Sequence, residues 1–281
     1  MNTIDLYTRV SRICSRKITE RYSTSFSSAI RLLDPSIRQP IYALYGFVRI
    51  CDEIVDTFHD YPKEDLLSEF RRDTWLALSR GVSTNPVLQS FQETVREFDI
   101  EPGLVEAFFH SMEMDLEKKE YNTALELDEY IYGSAEVVGL MCLCVFCQKD
   151  KELYAQLKPA SRSLGAAFQK VNFLRDLKDD VENLSRRYFP EIDFDDFDPG
   201  RKKEIELNIM NDFKAALGGI RRLPRQARFG VYLAYRYYFS LFGKICSLQP
   251  AAVLSRRVRI PNTHKIAIIV KAGLRNKLNW I

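Results

Sequence analysis

The chain has 281 residues, of which 46% are hydrophobic and 28% are charged, so it can bury a core and is not an intrinsically disordered protein. The net charge is only +3, but residues 201–281 carry 17 lysines and arginines against 3 acidic residues. This asymmetry indicates either two solvated faces of opposite charge or an anionic partner such as nucleic acid, a membrane or a small ligand.

Helical periodicity recurs along the chain, and no alternation typical of strands interrupts it. The predicted helices cover residues 34–58, 64–80, 85–99, 102–121, 127–148, 160–186, 201–219, 224–245 and 264–279. Several of them begin next to a proline, and long intervals without proline follow. The clearest loop is 187–200. Because no repeat and no flexible linker divides the sequence, we predict one all-α domain over residues 1–281.

Targeting signals and metal-binding cysteines are not evident. The N-terminal stretch MNTIDLYTRVSRICSRKITERYS is charged and lacks the apolar core of a secretory signal. The longest uncharged apolar run, Val137 to Cys147, is shorter than the ~20 residues that span a bilayer. We therefore expect a cytoplasmic protein, with contact at the inner face of the membrane left open. The CLCVFC segment lacks a partner at zinc spacing, so we expect its cysteines to be buried.

Two acidic clusters lie inside otherwise apolar helices. RICDEIVD contains Asp52 and Asp56, and NFLRDLKDD contains Asp176 and Asp180. Residues four apart share a helix face, so each helix presents a pair of carboxylates. Such pairs repel each other unless a cation lies between them, and Mg²⁺ prefers carboxylates together with substrate phosphates. One cluster alone is most often a solvated face with ion pairs, but two beside apolar residues indicate a polyphosphate site.

The neighbours of both clusters support this interpretation. Arg49 lies three residues before Asp52, on the same face, and suits a bidentate contact with phosphate oxygens. Gln169, Asn172 and Asp176 form one stripe of amide and carboxylate oxygens along the second helix. We therefore predict that the two helices hold a polyphosphate bridged by Mg²⁺.

These segments resemble the squalene/phytoene synthase family, the head-to-head prenyl transferases. The resemblance covers most of the chain and is carried by YSTSFSSAIRLLDPSIRQPIYALYGFVRICDEIVD, MDLEKKEY, YIYGSAEVVGLM and FQKVNFLRDLKDDVENLSRRYFP. It implies an isoprenoid-synthase-type helical bundle around a central pocket. It also implies that two allylic diphosphates are joined through a cyclopropyl intermediate with Mg²⁺, or alternatively Mn²⁺, as the cofactor.

By matched position, the resemblance also implies roles for individual residues. The implied metal ligands are Asp52, Asp56, Asn172, Asp176 and Asp180. The implied substrate-binding residues are Ser25, Phe26, Arg49, Gln169, Asn172, Arg257 and Lys265, and Tyr132 joins the four aspartates as a catalytic residue. Glu136 departs from the family pattern, which has a small or apolar residue there, and could add a polar group at the mouth of the pocket.

Within the family, the pattern is most similar to bacterial phytoene synthases of carotenoid biosynthesis. We therefore expect two geranylgeranyl diphosphates as substrates, phytoene as product and no requirement for NADPH. A dehydrosqualene or squalene-type synthase that uses farnesyl diphosphate is the alternative. A non-catalytic prenyl-lipid-binding protein is a further alternative, but it has no need of two cation-binding clusters.

The expected partners follow from the same interpretation. The basic residues are dispersed over helices with apolar faces and form no recognised nucleic-acid motif, so we expect no nucleic acid. No protein partner is predicted. The lipid substrates leave a peripheral membrane contact open.

Overall fold

The computed structural model describes residues 3–183, 186–189, 197–255 and 257–277, without the side chains of 179–183, 262, 276 and 277. The first eight helices are α1 (Thr3–Tyr22), α2 (Thr24–Ile30), α3 (Pro35–Asp56), α4 (Lys63–Arg80), α5 (Pro86–Glu97), α6 (Pro102–Glu117), α7 (Ala124–Ile131) and α8 (Val137–Cys147). A π-helical turn, Tyr132–Glu136, joins α7 to α8. The remaining helices are α9 (Lys151–Asn183), α10 (Pro199–Arg222), α11 (Arg225–Cys246), α12 (Pro250–Ser255) and α13 (Asn262–Lys277). The all-α prediction is confirmed.

The predicted start and stop signals determine several helix ends. Asp34 caps α3 by accepting a 3.0 Å hydrogen bond from the backbone N–H of Ser36, and Asn85 caps α5 in the same way. Gly81 ends α4 in the left-handed conformation, with φ of 73°. These local signals explain why α3, which carries the first acidic cluster, begins and α4 ends close to the predicted limits.

Four helices differ from the prediction: α1, α2 and α12 were not predicted, and α9 is longer than expected. α9 begins at Lys151 and runs through Pro159, although a start at residue 160 was expected. Proline removes one backbone hydrogen bond, but Leu157 and Ala166 on either side of it are buried, and packing maintains the helix. α1 was not predicted as an element because its buried face is made of small hydroxyl residues rather than apolar ones.

The core is continuous from α2 to α13. The helical segment Ala124–Cys147 runs through it and, by length and composition, is the one helix in the described part of the chain that could cross a membrane. More than half of its apolar window, 56%, is buried inside the protein. A buried core helix passes the same test, and this segment packs against α3, α6 and α9. The six cysteines, including the three in α8, are free thiols.

Candidate active site

A cavity of about 690 Å³ lies between α3, α9 and the helices around them. Its wall divides into two parts. The part that we call the polar end consists of Arg49, Asp52, Asp56, Asp115, Gln169, Asn172, Arg175, Asp176, Arg186 and Arg257. Most of the remaining wall is apolar and is contributed by α2, α3, α8, α9, α10 and α11. A cavity that is apolar over most of its length and charged at one end suits an amphipathic ligand with an anionic head.

The α3 side of the polar end carries the first acidic cluster. Arg49 lies 3.7 Å from Asp52 and 3.5 Å from Glu53, and its guanidinium stacks over the Tyr22 ring at 5.2 Å. Burial, together with the nearby carboxylates of Asp56 and Glu53, outweighs Arg49 and raises the pKa of Asp52 to about 7. The cluster therefore concentrates negative charge that a cation would stabilise.

The α9 side carries the second cluster. Asp176 forms an ion pair with Arg257, whose Nε lies 2.8 Å from Oδ1. It accepts hydrogen bonds from Nη2 of the same arginine at 3.3 Å and from Nε of Arg175 at 2.9 Å. Asn172 donates weakly to Gln169 at 3.5 Å, and Gln169 donates to Ser134 Oγ at 3.2 Å. The side chain of Asp180 lies outside the described residues. The predicted stripe of amide and carboxylate groups thus lines the cavity as far as it is described.

Arg186 and Asp115 complete the polar end, and neither was predicted as a site residue. Arg186 donates to Asp56 Oδ1 at 2.8 Å and to the backbone carbonyl of Asp115 at 3.0 Å. The Asp115 carboxylate lies 3.6 Å from the same guanidinium and accepts a 2.6 Å hydrogen bond from the Tyr130 hydroxyl. Burial raises the pKa of Asp115 to about 7 despite Arg186. Arg186 therefore joins α3 to α6 through two carboxylates.

An aromatic cluster supports these groups. The Tyr188 ring stacks on Phe173 at 3.9 Å, on Tyr130 at 5.5 Å and on Tyr121 at 5.6 Å. Arg187 forms backbone hydrogen bonds with Lys119 and Tyr121. This packing holds the segment around Arg186 against α9 and the residues that follow α6, and it thereby fixes the position of the Arg186 guanidinium.

The fit of a divalent cation can be judged from the donor atoms. Asp52, Asp56, Asp176 and Asn172 all line the cavity, and they offer the oxygen ligands that Mg²⁺ prefers. Asn172 Oδ1 is buried without a hydrogen-bond partner among the described residues, as an oxygen that awaits a ligand would be. No three acidic, His or Cys groups in the described residues converge into one metal cluster. The residues therefore fit cations that take further ligands from a bound phosphate.

Of the other predicted residues, Phe26 lines the cavity, whereas Ser25 and Lys265 lie outside its described wall. Phe26 lines the cavity, with its ring 5.8 Å from that of Tyr238. Ser25 does not line the cavity in the described structure; Ser23 does, and it caps α2 by accepting from Phe26 N. Lys265 donates to Thr24 Oγ1 at 2.9 Å, beside the cavity rather than in its wall.

Tyr132, the predicted pocket tyrosine, also lies outside the described cavity wall, whereas Tyr130 lines it. Residues two apart point to nearly opposite sides of a helix, so both rings cannot face the cavity. Tyr132 packs beneath Arg162, with the guanidinium 5.2 Å from its ring centre. Glu136 pairs with the same arginine and does not reach the described wall. The role implied for Tyr132 stays a prediction.

Comparisons with known proteins agree with this geometry. The sequence profile described as squalene/phytoene synthase matches residues 19–264. A 15-cis-phytoene synthase of Synechocystis sp. is 28% identical, over 94% of this chain and 84% of the relative. A presqualene diphosphate synthase of Rhodopseudomonas palustris is 27% identical, over 89% of this chain and 93% of the relative. The crystal structure of a ligand-bound dehydrosqualene synthase, 18% identical, has a TM-score of 0.81 over 96% of this chain and 98% of its own, which confirms the predicted fold.

Proposed function

The chain belongs to the squalene/phytoene synthase family and is a prenyltransferase, and on that basis we propose that it condenses two geranylgeranyl diphosphates head to head into phytoene. The reaction passes through prephytoene diphosphate, the cyclopropyl intermediate, and uses Mg²⁺ as the divalent cation that the family requires. One observation carries the proposal: a single cavity joins Asp52 and Asp56 of the first acidic cluster, Asp176 of the second and several arginines at one end to a long apolar wall.

The polar end has the charges that ionisation of an allylic diphosphate needs. When bound, Mg²⁺ would be held by Asp52, Asp56, Asn172 and Asp176, and it would stabilise the negative charge that develops on the leaving diphosphate. Arg49 lies on the same wall, and its guanidinium would donate hydrogen bonds and positive charge to the phosphate oxygens.

Loss of the diphosphate leaves an allylic carbocation, and the rest of the cavity protects it from water. Phe26, Phe168 and Tyr238 line it as a group of rings, with the Phe168 and Tyr238 ring centres 3.9 Å apart. Aromatic faces attract a carbocation without reacting with it, and an apolar wall excludes the water that would quench it. The structure thus supports carbon–carbon bond formation over hydrolysis.

The apolar wall is long enough for the longer substrate. Asp176 and Leu157 both line the cavity from α9, and a helix rises about 28 Å over the residues between them. A geranylgeranyl main chain extends to about 19 Å and a farnesyl chain to about 14 Å when C–C bonds are ~1.5 Å long. A wall of this length accommodates the geranylgeranyl chain in full.

A farnesyl-based reaction is the second candidate. The similarity to the presqualene diphosphate synthase, 27% identity, is nearly equal to that with the 15-cis-phytoene synthase, 28%. The two candidates share the polar end and differ in the length of the hydrocarbon chains, so the reaction product separates them.

The test is to incubate the purified protein and Mg²⁺ with each diphosphate, with and without NADPH, and to identify the hydrocarbons by mass spectrometry. We expect phytoene from geranylgeranyl diphosphate without NADPH; a thirty-carbon product alone would favour the farnesyl candidate. Asp52→Asn should lower the rate by about a hundredfold or more. Asp128→Asn, at an exposed carboxylate outside the described cavity wall, is the matched control and should retain activity. The absence of any condensation product would contradict the proposed function.

We also propose that the enzyme works in the cytoplasm at the inner face of the membrane. Its prenyl diphosphate substrates carry long hydrocarbon chains and its hydrocarbon product partitions into lipid. The basic C-terminal third has the charge for an anionic surface.

A further inference from the structure

One face of α13 is apolar and open to solvent. Ile266, Val270 and Leu274, which we call the α13 stripe, are 61%, 57% and 57% exposed. They are spaced four residues apart, so they form one line along the helix. The opposite face of α13 packs on α11 and buries Ile268 and Ala272. The stripe is thus not the core-facing side of the helix.

The charged residues of α13 and of the segment before it have one sign. No Asp or Glu follows Asp212 in the sequence, and residues 257–277 carry six lysines and arginines. Lys271 is exposed beside the stripe. An amphipathic helix with an apolar line and only basic charges is complementary to anionic lipid headgroups over an acyl interior.

The stripe begins next to the cavity. At the N-terminal end of α13, Lys265 donates a hydrogen bond to Thr24 at the start of α2. Just before α13, Arg257 binds Asp176 in the polar end. The Tyr22 ring, which lines the cavity and is 51% exposed, is two residues from Thr24. A surface bound along α13 would therefore lie beside the polar end.

A second exposed apolar line occurs on α1, formed by Leu6, Val10 and Ile13, at 49%, 46% and 49% exposure. Its helix carries two acidic residues, Asp5 and Glu20, against five basic ones, whereas α13 carries four basic residues and no acidic one. The acidic side chains weaken attraction to an anionic surface. The α1 line therefore offers a matched comparison: it too has three exposed apolar residues, in a helix of mixed charge.

We propose that α13 is the helix through which this protein docks on an anionic lipid bilayer. The α13 stripe inserts at the level of the headgroups, and Lys271 with its basic neighbours contacts lipid phosphates. Docking at this face brings the polar end of the cavity to the membrane surface. The inference goes beyond the condensation reaction, and it can be tested without substrate, so its failure and that of the proposed function are distinguishable.

The experiment is co-sedimentation of the full chain with vesicles of phosphatidylcholine alone or mixed in equal parts with phosphatidylglycerol. We expect binding to the anionic vesicles that weakens as salt is added. Ile266→Gln/Val270→Gln/Leu274→Gln should reduce the partition coefficient roughly tenfold or more. Lys271→Gln should reduce it about fivefold, which corresponds to ~1 kcal/mol per charge. Leu6→Gln/Val10→Gln/Ile13→Gln on α1 should bind like the wild type.

Circular dichroism and urea unfolding establish that each variant is folded, and each should retain activity on detergent-dispersed substrate. The proposal is overturned if the wild type stays in the supernatant, if both vesicle types bind it equally, or if the α13 triple variant sediments like the wild type. It is also overturned if ultracentrifugation shows a wild-type dimer that the α13 variant dissociates while vesicle binding is unchanged, because the stripe would then contact a second copy.

Discussion

Replacing Arg186 with leucine removes the link between α3 and α6 and leaves a buried carboxylate behind. Arg186 is 7% exposed, and the Asp115 side chain is 5% exposed. After the substitution, the Tyr130 hydroxyl remains as the hydrogen-bond donor to Asp115. The Asp56 side chain is 45% exposed and can be solvated by water. The energetic effect of the substitution therefore falls mainly on Asp115.

The expected loss in free energy of unfolding at pH 8 is about 3–5 kcal/mol, the cost of breaking a buried ion pair by removing one partner. The pair with Asp56 adds about 1 kcal/mol at most, because that carboxylate is exposed. The double variant Arg186→Leu/Asp115→Asn should recover roughly half of the loss or more, because it leaves no unpaired buried charge.

The loss should also depend on pH. The folded pKa of Asp115 is about 7, above its unfolded value of about 4, so its favourable contribution is complete below pH ~4 and disappears as pH rises through the folded pKa. Without Arg186 the folded pKa rises further. At pH 5.5 the carboxyl is mostly protonated with or without Arg186, and the variant should lose less stability than at pH 8.

Urea unfolding followed by circular dichroism at both pH values measures these free energies. A loss below about 1 kcal/mol at pH 8 would refute the assignment of a buried ion pair. So would a double variant no more stable than the single one, or an equal loss at the two pH values.

Three further changes test other parts of the structure. Ser161→Phe narrows the apolar wall far from Asp176 and should lower turnover of geranylgeranyl relative to farnesyl diphosphate roughly tenfold, measured from competing substrates. Gly219→Ala places a Cβ 2.3 Å from that of Ala160 and should lower the free energy of unfolding, measured with urea, by about 1–3 kcal/mol. Gly218→Ala, with open space around it, should raise the free energy of unfolding by about 0.5–1 kcal/mol. Because Asp52 loses its proton near pH 7, Mg²⁺ affinity by calorimetry should tighten roughly tenfold from pH 6 to 8, and Asp52→Asn should abolish that dependence.

The acidic clusters could be predicted from the sequence because both are local patterns. Asp52 and Asp56 share a helix face by spacing alone, and apolar neighbours indicated that the face is partly buried. The link from Arg186 to Asp56 spans 130 residues, and no helical period connects positions so far apart. Its recognition required the packing of α3, α6 and the segment around Tyr188.

α1 shows a different reason for failure. Its buried positions are Ser11, Ser15 and Thr19, and Ser15 Oγ lies 2.6 Å from Ser90 Oγ on α5. A Cβ on Gly46 of α3 would lie 3.0 Å from Ser15 Cβ, so only a small residue fits between these helices. Apolar periodicity predicts the opposite face as buried, and close helix packing through hydroxyl groups leaves no hydrophobic signal in the sequence.

The charge asymmetry of the chain acts within the molecule as well as on its surface. Arg257, from the basic C-terminal third, binds Asp176 of the acidic part across 81 residues, and Val258 N–H donates to the carbonyl of Arg175. The same short segment leads into α13, whose exposed stripe and basic charges face outward. A diphosphate that competes with Asp176 for the Arg257 guanidinium would therefore change the contacts of the segment that leads into the membrane-docking helix. Vesicle binding by Arg257→Gln, measured with and without inorganic pyrophosphate, separates the two effects: if the segment transmits the competition, pyrophosphate should alter binding by the wild type and not by the variant.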